Sequence, residues 1–163
     1  MLFQSFAKNF GLYGERAGCY SIACGNKEEK DIVMSRIKQI ARPIYSNPPI
    51  HGARIVDIIL GDPKLTAMWH QDLKDMSSRM AEMRAGLVAK LKERGNEHDW
   101  SHVTSQIGMF AFTGMSKDMV NELREKYAIY MTMDARISIA GLNTGNLDYV
   151  ADGFHAVTHG KQF

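Results

Sequence analysis

The chain has 163 residues, 45% hydrophobic and 23% charged, an ordinary globular composition with room for one domain or two small ones. Its 20 Lys and Arg against 18 Asp and Glu leave a net charge of +2, too balanced for the clustered basic surface of a nucleic-acid binder. No apolar run approaches the ~20 residues that span a bilayer, the start MLFQSFAKNF lacks the apolar core and cleavage site of a secretory signal, and two cysteines cannot build a disulfide scaffold.

Residues 2–7 and 17–24 are rich in aromatic and small apolar side chains and are expected to form short strands. Between them, KNFGLYGER carries Gly11 and Gly14 and marks a loop. Cys19 and Cys24 are five apart, on opposite faces of a strand, so they are not placed to pair and a reducing compartment fits. Asn26 is the expected N-cap of a helix with Glu28 and Glu29 in its first turn and Ile32, Val33, Ile37 and Ile40 on its apolar face. Pro43 is expected to end it, because the residue before a proline is pushed out of helical geometry. The turn-rich SNPPIHG leads into a short helix, roughly 50–60, that stops at Gly61.

From Pro63 the apolar residues Leu65, Trp69, Leu73, Met76, Met80, Met83, Leu87 and Leu91 recur in steps of three and four. They predict one helix to about residue 94, roughly 45 Å long, with Gly95 as its C-terminal cap. A helix of that length exceeds one small core and should bridge two lobes; a coiled-coil strand is the other structure the same stripe allows. MFAFTG (109–114) reads as a strand, Ser116 as the start of a helix with Met119, Val120, Leu123 and Tyr127 inward, and Arg136 to Ala140 as another strand. Asn146 starts a last helix with Leu147, Val150, Phe154 and Val157 on one face. Strands and helices alternate, so the class is α/β or α+β, with too few strands at the N-terminus for a sheet that stands alone.

The stretch SFAKNFGLYGER (5–16) is the richest in chemistry. Lys8 sits among apolar and aromatic neighbours; partial burial there would disfavour its ammonium form and make the amine a nucleophile toward a carbonyl cofactor. Ser5 and Arg16 flank it with a hydroxyl donor and a planar fork, both suited to phosphate. Together they point to a site for a phosphorylated aldehyde, with a plain structural loop as the alternative. His98 and His102, and His155 and His159, have the four-residue spacing of helical zinc ligands, but 98–102 reads as a loop and no Glu follows His98, so no metal site is expected.

SFAKNFGLYGER closely resembles the lysine motif of the aspartate aminotransferases, fold-type-I enzymes dependent on pyridoxal 5′-phosphate. The resemblance continues through ARPIYSNPPIHGARI (41–55), QIGMFAFTG (106–114) and ARISIAGL (135–142), in the family's order and spacing, up to about residue 159. It implies that Lys8 forms the Schiff base with the cofactor and later carries the proton between the substrate α-carbon and cofactor C4′. Ser5 and Arg16 would hold the cofactor phosphate, with Tyr13 beside the cofactor. Arg136 would clamp the substrate α-carboxylate, with Phe110 near that end of the substrate. Arg42 would recognise the distal carboxylate from across a homodimer interface. A dicarboxylic substrate needs two carboxylate clamps, and Arg is better than Lys for each because it binds both oxygens in one plane.

The implied organisation is residues 1–60 as the end of the large cofactor-binding domain, 61–95 as the long connecting helix, and 96–163 as a small α/β domain. The implied reaction is transfer of an amino group between L-aspartate and 2-oxoglutarate, in the cytoplasm or, since the start itself can lie upstream, the mitochondrion. The resemblance covers only the C-terminal portion of a typical member. The carboxylate partner of the pyridine nitrogen, the Asn and Tyr that bond the ring oxygen, the stacking aromatic and most of the phosphate loop have no counterpart in these residues. The chain on its own is therefore expected not to transaminate at an enzyme-like rate. A non-catalytic fragment that docks on a full-length subunit is the alternative reading.

Overall fold

The computed structural model describes residues 1–161, which fall into two compact units, one of Met1–Leu73 and one from Lys74 onward. In the first, β1 (Leu2–Ser5) pairs antiparallel with β2 (Gly18–Ser21), Leu2 opposite Ser21 and Ser5 opposite Gly18. Phe3 and Tyr20 face each other across the pair and stack at 4.3 Å, yet both strands are exposed along their whole length. They are shorter than the expected 2–7 and 17–24. After Ser5 one more bond, from the Phe6 amide to the Ala17 carbonyl, crosses the pair before the chain turns to loop bonds, in which the Phe6 carbonyl accepts from the amides of Phe10 and Leu12. Cys24 lies beyond the end of β2, and both cysteines are free thiols.

Helix α1 (Lys27–Ile44) starts as its cap predicts: Asn26 Oδ1 accepts from the Glu29 amide at 2.8 Å, and Glu29 Oε2 accepts from the Gly25 amide at 2.7 Å. It does not end at Pro43. The helix carries that residue in its last turn and closes with the Tyr45 amide on the Ala41 carbonyl. Proline removes one donor but has a helical φ, so near a C-terminus the loss is one bond, and Arg42 stays helical before it. No residue of α1 is buried. Helix α2 (His51–Gly61) buries Gly52 and Val56.

Helix α3 (Pro63–Glu93) is the predicted 31-residue element. Asp62 Oδ1 accepts from the amides of Lys64 and Leu65 at its start, and Gly95 follows its end at φ +69°. The boundary between the two units falls inside it, between Leu73 and Lys74. Leu65, Trp69, Leu73 and Met80 are half-buried and Met83, Leu87 and Leu91 buried, but Met76, beside that boundary, is exposed despite its place in the stripe.

The second unit contains α4 (Ser101–Ser105), β3 (Phe110–Phe112), α5 (Lys117–Tyr127), β4 (Arg136–Ser138), a 3₁₀ turn (Ile139–Gly141) and α6 (Leu147–Thr158). Its core gathers Leu87 and Leu91 of α3, Trp100, Val103, Leu123, Ile139, Phe154 and Val157. Strands β3 and β4 pair antiparallel, Phe110 opposite Ser138 and Phe112 opposite Arg136. Strand β4 stops before the expected Ala140: the Ile139 amide still reaches the Met109 carbonyl across the pair, and the Leu142 amide on the Ile139 carbonyl then tightens the chain into the 3₁₀ turn. His102, expected in a loop, belongs to α4. Ser116 caps α5 through its side chain, accepting from the Met119 amide. Both sheets are two-stranded and antiparallel, so the mixed α/β expectation takes its α+β form in the described residues. No helix among them is long and apolar enough to cross a membrane.

Candidate active site

The loop between β1 and β2 is drawn into a compact coil by its own backbone. Besides the two bonds to the Phe6 carbonyl, the Gly11 amide donates to the Lys8 carbonyl and the Glu15 amide to the Leu12 carbonyl. Leu12 is the residue it buries. At its far end Arg16 adopts φ +52°, a left-handed conformation unusual outside glycine, and donates from Nη1 to the Tyr13 carbonyl at 3.3 Å. Glu15 Oε2 meets His51 Nδ1 at 3.0 Å, tying that end of the loop to α2.

Lys8 is exposed, which corrects the expected partial burial. Its apolar neighbours in sequence turn away: Phe6 and Phe10 meet edge to face at 5.2 Å, and Phe10 stacks on Trp69 of α3 at 4.5 Å. Lys8 Nζ instead lies 4.1 Å from the centre of the Tyr13 ring, and the Arg16 guanidinium 5.6 Å from the same centre. A cation over an aromatic face is worth about 0.5–1 kcal/mol at an exposed site. Tyr13 thus serves as a shared platform for both cationic groups. Ser5 Oγ accepts from the Ala7 amide at 3.2 Å, and Ser5 and Arg16 together line a surface cavity of about 390 Å³ that Lys8 does not line. Among the described residues no carboxylate pairs with Lys8, Ser5 or Arg16. An amine, a hydroxyl and a guanidinium with no competing acid make a donor set for an anion that also carries a reactive carbonyl.

Arg42 stands apart from this loop. It is exposed in the last turn of α1, donates from Nη1 to Ser46 Oγ at 3.0 Å, and borders a shallow surface with Asp31, Ser35, Lys38 and Gln39. In the second unit Arg136, the first residue of β4, lays its guanidinium 4.8 Å from the centre of the Phe110 ring on β3. Both residues are exposed, so the fork rests over the ring at the surface, within reach of solvent. The Arg136 carbonyl accepts from the amide and hydroxyl of Thr132. The same hydroxyl bonds Asp134, which holds that carboxyl below the usual carboxylate range, with a smaller contribution from the nearby charge of Arg136.

Two supporting side chains leave no mark in the sequence motifs. Trp69 Nε1 donates to the Asn9 carbonyl at 2.7 Å, across 60 positions. Arg84, 5% exposed, donates to the carbonyls of Val103, Gly108 and Phe110 at 2.6, 2.9 and 2.7 Å, and burial pulls its pKa down. The one signal for Arg84 was its charge within the apolar Met83–Leu87 stripe. The histidines act as hydrogen-bonding groups: His98 Nε2 meets the Thr158 carbonyl, His102 Nε2 the Thr113 carbonyl, and His155 Nδ1 the Asn96 amide group. No group of three or more His, Cys, Asp or Glu among the described residues converges on a point that could hold a metal.

Known proteins resemble this chain over nearly its whole length. A mitochondrial aspartate aminotransferase of Gallus gallus is 48% identical over 158 residues, which cover 97% of this chain and 37% of that protein. The structure of a mitochondrial aspartate aminotransferase from Trypanosoma brucei superposes with a TM-score of 0.91 at 49% identity, covering 95% of this chain and 41% of the other. An aromatic-amino-acid aminotransferase from Burkholderia pseudomallei, described as covalently bound to pyridoxal phosphate, superposes at 0.92 with 46% identity, covering 95% and 39%. The chain thus spans well under half the length of the relatives it matches. The family profile described as aminotransferase class I and II matches residues 1–154, and with these identities it shows that the chain belongs to that family.

Proposed function

We propose that this chain carries part of the active site of an aspartate aminotransferase, which moves an amino group between L-aspartate and 2-oxoglutarate with pyridoxal 5′-phosphate. The observation that carries this reading is the carboxylate-free set of Ser5 at the end of β1 with Lys8 and Arg16 on the loop that follows it. That donor set fits a phosphorylated aldehyde: Ser5 and Arg16 would take the phosphate and Lys8 the carbonyl carbon. When bound, the cofactor supplies the electron sink that stabilises negative charge at the substrate α-carbon. Lys8 Nζ, held over Tyr13, is the group that would accept and return the proton at that carbon.

Arg136, over the Phe110 ring, would grip the α-carboxylate in a bidentate pair, and Arg42 the distal carboxylate of aspartate or 2-oxoglutarate. In this reading Arg42 acts in the other protomer of a homodimer. Residues 1–60 belong to a large cofactor domain, 61–95 to a connecting helix, and 96–163 to a small domain. The sequence reading favours the cytoplasm and leaves the mitochondrion open; the mitochondrial description of two relatives supports the latter. Localising the product of the complete gene in fractionated cells decides between them.

The reading is tested by treating a polypeptide that joins this chain to the upstream part of such an enzyme with pyridoxal 5′-phosphate and borohydride, then mapping the label. Lys8 is the expected site; label on Lys27 or Lys38 instead would refute the assignment. One observation favours the docking alternative, in which the chain binds a full-length subunit without catalysing. Helix α1 buries nothing, and Ile32, Ile40 and Ile44 on it are exposed, an apolar face ready for a partner.

A further inference from the structure

We propose that Trp69 is a positioning residue for Lys8, acting through the backbone of the two residues that follow it; the inference rests on the reading of Lys8 as the cofactor-binding amine. Lys8 is exposed, and its amine rests over the Tyr13 ring. Its direction is therefore set by the backbone that carries it. That backbone is gripped from α3 at two consecutive positions. Trp69 Nε1 donates to the Asn9 carbonyl at 2.7 Å, and the Trp69 ring stacks on Phe10 at 4.5 Å with an interplanar angle of 17°. Phe10 passes the contact on to Phe6 on the other side of Lys8. Asn9 does not substitute for this grip with its own side chain, since its Oδ1 is buried without a hydrogen-bond partner.

The indole is suited to the task for two reasons. It offers a single donor that cannot also accept, so the bond to Asn9 has one direction. Its flat face fixes Phe10 in an offset stack, which resists rotation better than an aliphatic contact. With the N–H gone, the Asn9 carbonyl turns to water and the Asn9–Phe10 peptide loses its tie to α3, leaving the loop's own backbone bonds to hold the chain beside Lys8. The amine then samples more directions and spends less time over the Tyr13 ring.

The experiment uses the polypeptide that joins this chain to the upstream part of such an enzyme, pyridoxal 5′-phosphate as probe, borohydride trapping and peptide mapping, with Lys27 and Lys38 as internal references. Condensation of amine and aldehyde expels water, and borohydride supplies the hydride that fixes the label. Trp69→Phe keeps a ring against Phe10 but lacks the donor; its Lys8 label relative to the references is expected to fall about fivefold, the equivalent of one net hydrogen bond. Trp69→Ala is expected to fall further. Melting curves followed by circular dichroism accompany each variant, and Trp69→Phe carries the test should Trp69→Ala fail to fold. An unchanged Lys8 ratio in Trp69→Phe, or an equal change at all three lysines, overturns the positioning role while leaving Lys8 as the preferred amine. Equal labelling of Lys8, Lys27 and Lys38 in the unmodified chain overturns the reading of Lys8 itself, and the inference with it.

Discussion

Arg84 is the second unit's one buried cation among the described residues, and its removal tests how that unit is held. It lies 5% exposed on α3 and spends its donors on three carbonyls, those of Val103, Gly108 and Phe110. No carboxylate among the described residues pairs with it. Desolvation lowers its pKa, yet an arginine stays charged at any ordinary pH, so the carbonyl dipoles must carry the whole compensation. Hydrogen bonds from a charged group are worth about 1.5–3 kcal/mol each, so three would sum to roughly 4–9 kcal/mol. Arg84→Met also abolishes the cost of burying the charge, and two of the acceptors, at Gly108 and Phe110, are only part-buried and can turn to water. The Val103 contact is buried and cannot.

The net loss for Arg84→Met is therefore expected to be about 3 kcal/mol, dominated by the stranded Val103 carbonyl and the freed loop to Phe110. For a unit of about 90 residues that corresponds to a fall in Tm of roughly 12–24 °C. The assay is thermal unfolding in a Trp69→Phe background, in which Trp100, buried in the same unit, is the remaining indole. Arg84→Lys should recover less than half of the loss, because one ammonium cannot reach carbonyls contributed by residues 103, 108 and 110 together. A Tm for Arg84→Met within about 5 °C of its Trp69→Phe parent would show that the three bonds carry no net stability and would refute this reasoning.

In a complete enzyme, Arg42→Ala should weaken dicarboxylic substrates far more than monocarboxylic ones, and Arg136→Ala both, each by roughly 2–5 kcal/mol of lost charge-assisted pairing; equal losses for both substrate types with Arg42→Ala in steady-state kinetics would make that residue structural. Gly52→Ala places a Cβ 2.9 Å from Glu15 Cβ and 3.0 Å from Ala17 Cβ, either side of Arg16, so despite alanine's better helix propensity a net loss of about 1 kcal/mol is expected. Faster amide exchange over residues 12–18 should accompany it, and an unchanged exchange pattern would contradict the close approach. Asp148 is held below the usual carboxylate range first by its bond to Lys90 and then by Arg94. That contribution to stability is present above the unfolded value near pH 4 and lost as pH falls through the lower folded value. Asp148→Asn should flatten the acid limb of a stability–pH curve below about pH 4, an effect that shrinks in high salt; an unaltered limb would show that the pair is solvent-screened throughout.

What the sequence disclosed was what local rules govern. Asn26, Ser116 and Gly95 announced helix ends because a cap is a relation over three or four residues, and each sits where it was expected. The 31-residue α3 was legible because apolar residues recurring in threes and fours over such a length match the period of a helix and not that of a strand. Local rules also misled where a neighbour in sequence is not a neighbour in space. Pro43 ought to end a helix that had further to run, but it fell in the last turn, where the missing donor costs one bond. Lys8 ought to be part-buried among Phe6 and Phe10, but both rings turn toward each other and Phe10 on to Trp69, which leaves the amine outside.

The same distinction separates the chemical groups from the residues that aim them. Ser5, Lys8, Tyr13 and Arg16 lie within 12 positions of one another, so the motif could name them and the resemblance could assign them roles. Their support comes from afar: Trp69 reaches back 60 positions to Asn9, and His51 reaches back 36 to Glu15. Around Phe110 the pattern repeats, with Arg84 tied to a carbonyl 26 residues ahead and Arg136 brought onto the ring only by the β3–β4 register. A substitution at a supporting position therefore leaves every motif intact while loosening the geometry that the motif requires. That is why direction-sensitive readouts at Lys8, Arg42 and Arg136 test this fold more sharply than the presence of the motifs themselves.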